Sequence, residues 1–311
     1  RGDRCTSAER DVSRAGAVAS RTVTTDQREL RIVREEYPSG TLEMAYGDPH
    51  PRLAAQVLIY CGYAERTQGP SRRRELPWPV VVLIFDFGPT LRILDPFDET
   101  VAGTHAAGFV AGLHDICALT EASGAQSGVQ VNLTPLGARQ LLGVPLAELA
   151  NRVVSIEDVL GAPGRRLTAA LHDAPGWAAR FDLLDAIIGR RVETAAAVSP
   201  LAAAGWRRLE ETGGQLGIGG LAAELECSRK HLITIFRDQI GLPPKTVARV
   251  LRFQRAIRLH DGGCANWADV AYACGYADQA HFIKDFRRFA GVTPSAFRAA
   301  RQPGGGAPAT P

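Results

Sequence analysis

Two stretches of the sequence are variants of one another: residues 220–244, GLAAELECSRKHLITIFRDQIGLPP, and residues 270–294, VAYACGYADQAHFIKDFRRFAGVTP. Shifting the first stretch by 50 residues onto the second, without a gap, aligns alanine, histidine, phenylalanine, glycine and proline positions. The aligned pairs are Ala223 with Ala273, His231 with His281, Phe236 with Phe286, Gly241 with Gly291, and Pro244 with Pro294. A repeat of this period indicates one supersecondary unit that is used twice.

Each copy carries the signals of a short helix, a turn and a longer helix. Ser228 and Asp278 suit the N-cap of the longer helix, because their side-chain oxygens can accept hydrogen bonds from the free amides of its first turn. Apolar residues then recur three and four positions apart, which predicts one buried stripe per helix. Gly241 and Gly291 can take the left-handed conformation that ends a helix. We therefore predict two helix-turn-helix units, with short helices over residues 221–226 and 267–274 and long helices over residues 228–240 and 278–290.

Two further helices and a basic charge balance complete this region. Residues 244–260, PKTVARVLRFQRAIRLH, have one apolar side and several arginines, which predicts a connecting helix, and residues 200–211 predict an opening helix. Residues 205–302 contain 15 Lys and Arg against 9 Asp and Glu, whereas the rest of the chain contains 21 against 24. The basic charge is thus concentrated in the last third of the chain, as expected where a protein meets a polyanion.

These residues resemble the DNA-binding domain of AraC/XylS-family transcription regulators. The resemblance includes both capped helices, the connecting helix and a closing motif formed by Gly291, Pro294, Phe297 and Arg298. It implies that the helices over residues 228–240 and 278–290 are recognition helices that enter successive major-groove segments of bent DNA. Such segments lie about 34 Å apart on one face of the duplex, a separation that a connecting helix can help to set.

The side chains left on the outer faces of these two helices are the predicted DNA contacts. Gln279 can form paired hydrogen bonds with adenine, and Lys230 or Lys284 can donate to guanine. The apolar members can touch thymine methyl groups, and the arginines of the later turns are expected at phosphates. The predicted contacts are Arg229, Lys230, Ile233, Thr234, Arg237, Gln279, Ala280, His281, Ile283, Lys284, Arg287 and Arg288.

The first two hundred residues predict a β-rich domain followed by helices. Apolar, β-branched runs at residues 56–64, 79–88 and 128–133 predict strands, and residues 109–119 hold another strand or two. After Pro135 the pattern becomes helical. This order resembles AraC-like regulators that place a cupin-like sensing barrel and dimerising helices before the DNA-binding domain, and residues 134–161 also resemble an N-terminal domain of an AraC-like subgroup whose ligand we cannot name.

The predicted fold class is therefore α+β and multidomain, with a β-rich cupin-like barrel, a helical bundle and an all-α double helix-turn-helix domain. The expected divisions are a disordered start, a sensing domain, a helical association segment, an AraC-type domain and a disordered tail. Their bounds are 1–26, 27–135, 136–198, 199–302 and 303–311.

The predicted function is that of a sequence-specific DNA-binding transcription regulator, and not of an enzyme. The expected partners are double-stranded promoter DNA, RNA polymerase, a small-molecule effector and a second copy of the chain in a homodimer; activation is the commoner mode of the family. The sequence has no apolar run long enough for a membrane span and no visible secretory signal, and its six cysteines form no C-x-x-C pair. A cytoplasmic protein with reduced thiols, without cofactor or metal, is expected.

Several alternatives accompany this prediction. The main rival is a DNA-repair type of enzyme fused to a DNA-binding module, which would need a reactive cysteine site that the cysteine spacing does not offer; a second is a small-molecule binder whose basic domain serves protein partners. Arg72–Arg74 lie in a predicted loop, for which a solvated surface is the first interpretation and the binding of a phosphorylated or nucleotide effector is the alternative hypothesis. His105 and His114 lack the His-x-His pattern of metal-binding cupins, and Gly217–Ala222 fits G-x-G-x-x-A without a preceding predicted strand.

Overall fold

The computed structural model of the protein describes residues 18–25, 28–38, 40–105, 107–264 and 266–300. The predicted disorder of residues 1–17 and 303–311 lies outside these residues. Residues 18–25, which were expected in the disordered start, instead form a strand that pairs antiparallel with the next one, from Val18 opposite Glu35 to Thr25 opposite Arg28. The strand is rich in valine and threonine, residues that favour extended backbone.

Within the described residues, twelve strands form two antiparallel sheets. The larger sheet has eight strands in the order β1-β2-β3-β4-β11-β6-β9-β12, and the smaller has four in the order β5-β10-β7-β8. The strands are β1 (Val18–Thr25), β2 (Arg28–Tyr37), β3 (Gly40–Gly47), β4 (Val57–Thr67), β5 (Ser71–Glu75), β6 (Val81–Asp86), β7 (Leu91–Leu94), β8 (Val101–His105), β9 (Phe109–Ala111), β10 (Ala118–Ala122), β11 (Ala125–Leu133) and β12 (Val153–Ser155).

The predicted β-rich domain is confirmed, but the predicted barrel closure is wrong. In the described part of the chain the large sheet ends at β1 on one side and at β12 on the other, and no ladder joins these edges or joins the two sheets. The sheets instead pack through side chains, with Ile84 and Phe109 of the large sheet against Ile93 of the small one. The arrangement is therefore two open sheets in contact, each of which keeps free edges.

Four helices cover the large sheet: α1 (Pro135–Leu142), α2 (Ile156–Leu160), α3 (Ala162–Asp173) and α4 (Gly176–Glu193). The helices predicted after Pro135 are confirmed, except for one short strand in this region. Val153–Ser155 form the edge strand β12, because Val153 and Val154 extend beside Ala111 and Val110 of β9 before Ser155 caps α2.

Seven helices follow: α5 (Pro200–Glu211), α6 (Ile218–Glu224), α7 (Arg229–Gln239), α8 (Pro244–Asp261), α9 (Trp267–Ala273), α10 (Gln279–Ala290) and α11 (Pro294–Ala300). The opening, connecting and recognition helices thus lie where the sequence predicts them. None of the described helices is long and apolar enough to cross a lipid bilayer.

An ion-pair network joins helix α4 to strands β2 and β4 of the large sheet. The Arg28 side chain is 8% exposed and pairs with Asp185 and, at 3.1 Å, with Asp182. Asp185 also accepts from the Tyr60 hydroxyl at 2.9 Å and from the His50 amide at 3.0 Å. Tyr60 in turn stacks on Phe181 of α4. Since three donors converge on one carboxylate, Asp185 fixes the position of α4 on the sheet.

The apolar cores are distributed unequally. One core joins the sheet, helices α1 to α4 and the first helix-turn-helix unit, from Leu133 and Leu146 through to Phe236 and Ile240. The second unit has a core of its own, built around Phe253, Trp267, Phe282 and other aromatic residues. The first unit is therefore part of the N-terminal core, whereas the second is a separate packing unit.

We predict that Asp185→Ala lowers the free energy of unfolding by about 3 kcal/mol, because it removes the more buried of the two carboxylate partners of Arg28 and leaves the Tyr60 hydroxyl without its acceptor. Asp182→Ala is the matched control: its side chain is 49% exposed and its pair with Arg28 is a surface pair, for which less than about 1 kcal/mol is expected. Urea unfolding followed by circular dichroism measures both. Equal losses for the two variants would contradict the central role of Asp185.

Candidate nucleic-acid interface

The first candidate recognition helix, α7, is built by the predicted cap and stop signals. The Ser228 hydroxyl accepts from the His231 amide at 3.1 Å, which satisfies one of the free donors of the first turn. Leu232 and Phe236 are fully buried. At the other end, Gly241 has φ +100° and its amide donates to the Phe236 and Arg237 carbonyls, so the helix ends there as predicted.

The second candidate recognition helix, α10, repeats this construction. The Asp278 carboxylate accepts from the His281 amide at 2.7 Å, Phe282, Phe286 and Phe289 are fully buried, and Gly291 ends the helix at φ +70°.

The gapless alignment of the two copies is wrong by one residue in the short helix. Helix α6 ends at Glu224, four residues before the cap Ser228, whereas α9 ends at Ala273, five residues before the cap Asp278. The buried pair Leu221–Ala222 therefore corresponds to Val270–Ala271, at a spacing of 49 residues. Gly275, with φ +73°, then corresponds to Glu226, with φ +51°, and Tyr276 corresponds to Cys227, since their amides donate to the equivalent Ala271 and Ala222 carbonyls. The extra residue therefore lies between Tyr276 and the cap Asp278, at Ala277.

Helix α8 sets the second unit against the first. Val247, Ala248 and Leu251 belong to the core of the first unit, and Val250 and Phe253 to the core of the second. Arg249 adds a directional contact, since its guanidinium donates to both carboxylate oxygens of Asp285 at 3.1 and 2.7 Å. Asp285 is a buried residue of α10, and this two-pronged geometry fixes the rotation of that helix relative to α8.

The predicted contact residues lie on the outer faces of the two helices. Ten of them are exposed: Arg229, Lys230, Thr234, Arg237, Gln279, Ala280, His281, Lys284, Arg287 and Arg288. Ile233 and Ile283 are partly buried, and Ile283 packs against the core of the second unit. Each helix thus presents a basic outer face over an apolar inner one, which is the arrangement that a helix needs to lie in a major groove.

Three of these side chains already have partners in the protein. The Thr234 hydroxyl donates to the Lys230 carbonyl at 3.1 Å. His281 lies 3.9 Å from Asp285 and edge-on to Tyr276. Arg288 forms an ion pair with Asp115, a buried residue between β9 and β10. A phosphate contact by Arg288 would therefore compete with an internal carboxylate.

The side chains that orient the second helix are not among the residues predicted from the sequence. Asp285 lies on the buried stripe of α10, three residues after Phe282, and a carboxylate in that position signals a buried partner. The partner, Arg249, has its pKa raised chiefly by hydrogen bonds to Asp285. Burial is the main reason why the pKa of the neighbouring Tyr276 is also raised.

The other residues singled out in the sequence have ordinary structural surroundings. Arg72, Arg73 and Arg74 lie on strand β5 and not in a loop: Arg72 pairs with Glu99 and Glu121, Arg73 pairs with Glu65, and Arg74 donates to the Cys117 sulfur. These internal partners leave little charge for a phosphorylated effector.

Burial lowers the pKa of His105 and His114. His105 contacts the Phe109 ring, and His114 contacts the Gly112 carbonyl. Gly217 caps helix α6 after a turn.

Comparisons with known proteins match these elements to a family. A protein-family profile described as a helix-turn-helix domain matches residues 221–300. The Msm operon regulatory protein of Streptococcus mutans is 30% identical over 86 residues, which make up 28% of this chain and 31% of that protein. Residues 221–300 are an AraC-type helix-turn-helix domain. The match spans less than a third of the streptococcal protein, so it concerns the AraC-type domain alone.

Another profile and two solved structures match other parts of the chain or most of its length. Residues 47–155 match a profile described as a domain of unknown function (DUF6597). The C-terminal domain of AraT, a response regulator from Geobacillus stearothermophilus, is 20% identical, with 34% of this chain and 90% of that one covered at a TM-score of 0.32. ToxT from Vibrio cholerae is 11% identical, with 76% and 97% covered at a TM-score of 0.45.

We predict that Asp285→Asn destabilises the second half of the AraC-type domain, because it leaves the Arg249 guanidinium without its counter-charge; a loss of about 3 kcal/mol is typical of a broken buried pair. Hydrogen exchange should show faster exchange in α9 and α10 than in α7, since their cores are separate. Glu224→Gln, which breaks the exposed pair with Arg208, is the control and should leave α10 unchanged. Uniform acceleration across both units would argue against a separate second core.

Proposed function

We propose that this protein is a sequence-specific DNA-binding transcription regulator. The observation that carries the proposal is the pair of helix-turn-helix units with exposed basic outer faces, joined by a helix whose side chains belong to both cores. The match of residues 221–300 to the helix-turn-helix family supports it. The function class is a DNA-binding regulator and not an enzyme.

The two helices are assigned different contacts by their side-chain chemistry. Lys230 and Gln279 are exposed in the first turns of α7 and α10, the ends that commonly reach base edges, and Lys284 is exposed in the middle of α10. Gln279 pairs with adenine and the lysines donate to guanine, while Ile233, Ala280 and Ile283 make apolar contacts with thymine. Arg229, Arg237, Arg287 and Arg288 position the protein on phosphates. Thr234 and His281 adjoin these contacts.

The N-terminal part controls binding in this proposal through two different attachments. Leu146 and Leu149 share a core with Ile240 and Leu242, the residues that follow α7. The second unit touches the N-terminal part through Leu76, which packs against its core, and through two polar contacts, Arg288 with Asp115 and the Gln254 amide with the Pro77 carbonyl. Because DNA phosphates and Asp115 compete for Arg288, the N-terminal part shifts the population between docked and DNA-bound arrangements.

The proposed function also includes an effector, an oligomeric state and a mode of action. The N-terminal part senses a small-molecule effector in this scheme, and a cupin-like origin of its sheets fits the order of the domains. The helices at residues 136–198 mediate a homodimer, so that two copies bind one promoter. The regulator acts in the cytoplasm, where DNA is accessible, and activates through contact with RNA polymerase.

The DNA readout is testable by selecting a preferred duplex from a random library and measuring affinity in a salt series. The slope of log K against log salt should correspond to the release of several counterions. Gln279→Ala and Lys284→Ala should each lose about 1–3 kcal/mol on the preferred site and much less on scrambled DNA, because they remove base contacts. Arg237→Ala and Arg287→Ala should each weaken binding to the preferred duplex and to scrambled DNA equally, and each should reduce the salt slope by about 1.

Arg190→Ala is the matched control, since Arg190 is an exposed arginine of α4 far from both recognition helices in sequence. Its affinity and salt slope should equal those of the unmodified protein. Absence of any preference for the selected duplex, at every salt concentration, would refute the proposed function.

Competition for Arg288 gives a second test. Asp115→Asn should strengthen DNA binding about two- to fivefold, because it removes a partly exposed ion pair that contributes up to about 1 kcal/mol to the docked arrangement. In an Arg288→Ala background the same change should have no effect, and Asp173→Asn, on the exposed end of α3, should have none in either background. A gain that persists without Arg288 would rule out this competition.

A further inference from the structure

A cavity with mainly apolar walls lies between the large sheet and its helical layer. Its volume is about 320 Å³, at the lower end of the range of about 300–1,000 Å³ that is usual for small-molecule sites. Its walls are core side chains from β6, α1, α3 and α4 that are at most 9% exposed. They are Leu83, Phe85, Leu141, Leu167, Leu184 and Ile188.

Two arginines supply the charge at this cavity. Arg166 of α3 and Arg191 of α4 line it, and both are exposed. Among the described residues that line the cavity none is acidic, and neither guanidinium has an ion-pair partner in the part of the chain that the structure describes. The neighbouring Arg165, by contrast, pairs with Glu157. The charge at the cavity mouth is therefore positive and uncompensated.

We propose that this cavity is a binding site for a small amphipathic organic acid. The apolar body of such a ligand fills the space between Phe85, Leu167 and Leu184, and its carboxylate lies between Arg166 and Arg191 at the mouth. Burial of the body is favourable through the hydrophobic effect, and arginine is the side chain best suited to a planar carboxylate. A neutral or cationic ligand leaves the two guanidinium groups without a partner.

Side-chain contacts of Arg191 and Arg139 connect the cavity through α1 to the first candidate recognition helix, α7. Arg191 already donates from Nε to the Leu141 carbonyl at 3.0 Å, at the end of α1. Arg139 of the same helix lies 3.9 Å from Asp238 of α7. A carboxylate held by Arg191 therefore acts on α1, and α1 contacts α7. The role of the ligand as an effector rests on the proposed function, whereas its binding does not.

Calorimetry on the full chain with three probes tests the chemistry. The probes are 4-phenylbutanoate, 4-phenylbutan-1-ol, which has the same body without charge, and acetate, which has the charge without the body. We expect the acid to bind at one site per chain, the alcohol to bind at least tenfold more weakly, and acetate to show no measurable binding. No binding of the acid, or equal binding of acid and alcohol, would overturn the proposal.

Variants locate the site. The double change Arg166→Gln with Arg191→Gln should weaken binding of the acid at least tenfold and leave that of the alcohol unchanged. Arg165→Gln is the matched control, because it removes an arginine that already has a carboxylate partner. Ala170→Leu narrows the cavity from an exposed position on α3 and should weaken both probes while the protein stays folded. Unchanged acid binding in the double variant or in Ala170→Leu would overturn the assignment.

DNA binding separates this proposal from the proposed function. The acid should change the affinity for the selected duplex at least threefold in the unmodified protein and not in the double variant; binding without such a change would overturn the effector role. Failure of every form to prefer its duplex would refute the regulator function and leave the calorimetric result standing. Concentration-dependent dimerisation that Ala170→Leu abolishes, without acid binding, would assign the cavity to a second copy of the chain and overturn the ligand proposal.

Discussion

Helix α8 has apolar residues on two sides, and the arrangement of the DNA-binding region depends on their simultaneous burial. Val247, Ala248 and Leu251 pack into the first core, and Val250, Phe253 and Ala256 pack into the second. Neither unit can rotate about this helix without exposing one of these sets. The bidentate contact between Arg249 and Asp285 adds orientation to this packing, since apolar contacts alone are not directional.

The repeat made the helices of this region predictable. Caps, stripes and glycine stops are local signals, so the positions of α5, α7, α8 and α10 follow from the sequence alone. The length of the turn in the second unit did not follow from it, because a one-residue insertion at Ala277 leaves the apolar stripe of the following helix unchanged. The exposed faces could likewise be derived from periodicity, whereas the partners Asp115 and Arg249 depend on tertiary packing that no local pattern encodes.

The N-terminal part was less predictable for a related reason. Buried strands such as β6 are continuous apolar runs, but β2 and β5 are charged, and glutamates on neighbouring strands pair with some of their arginines, as Glu43 does with Arg34 and Glu121 with Arg72. A strand whose charge is neutralised across the sheet looks like a loop in sequence. Barrel closure depends on the register of distant strands, and the resemblance to other regulators supplied an expectation that the open edges at β1 and β12 contradict.

The shared core of the N-terminal part and the first unit has a consequence for the portability of the DNA-binding region. Leu232, Phe236 and Ile240 belong to the same apolar cluster as Leu141, Leu142 and Leu146. A fragment cut between α4 and α5 would carry this bare apolar surface into water, where such surfaces promote aggregation. Grafting the region onto a foreign sensor would therefore require a replacement for the contacts of α1 and the 3-10 turn Leu146–Glu148. A chimera joined downstream of α8 would keep the apolar cluster that the N-terminal part shares with the first unit.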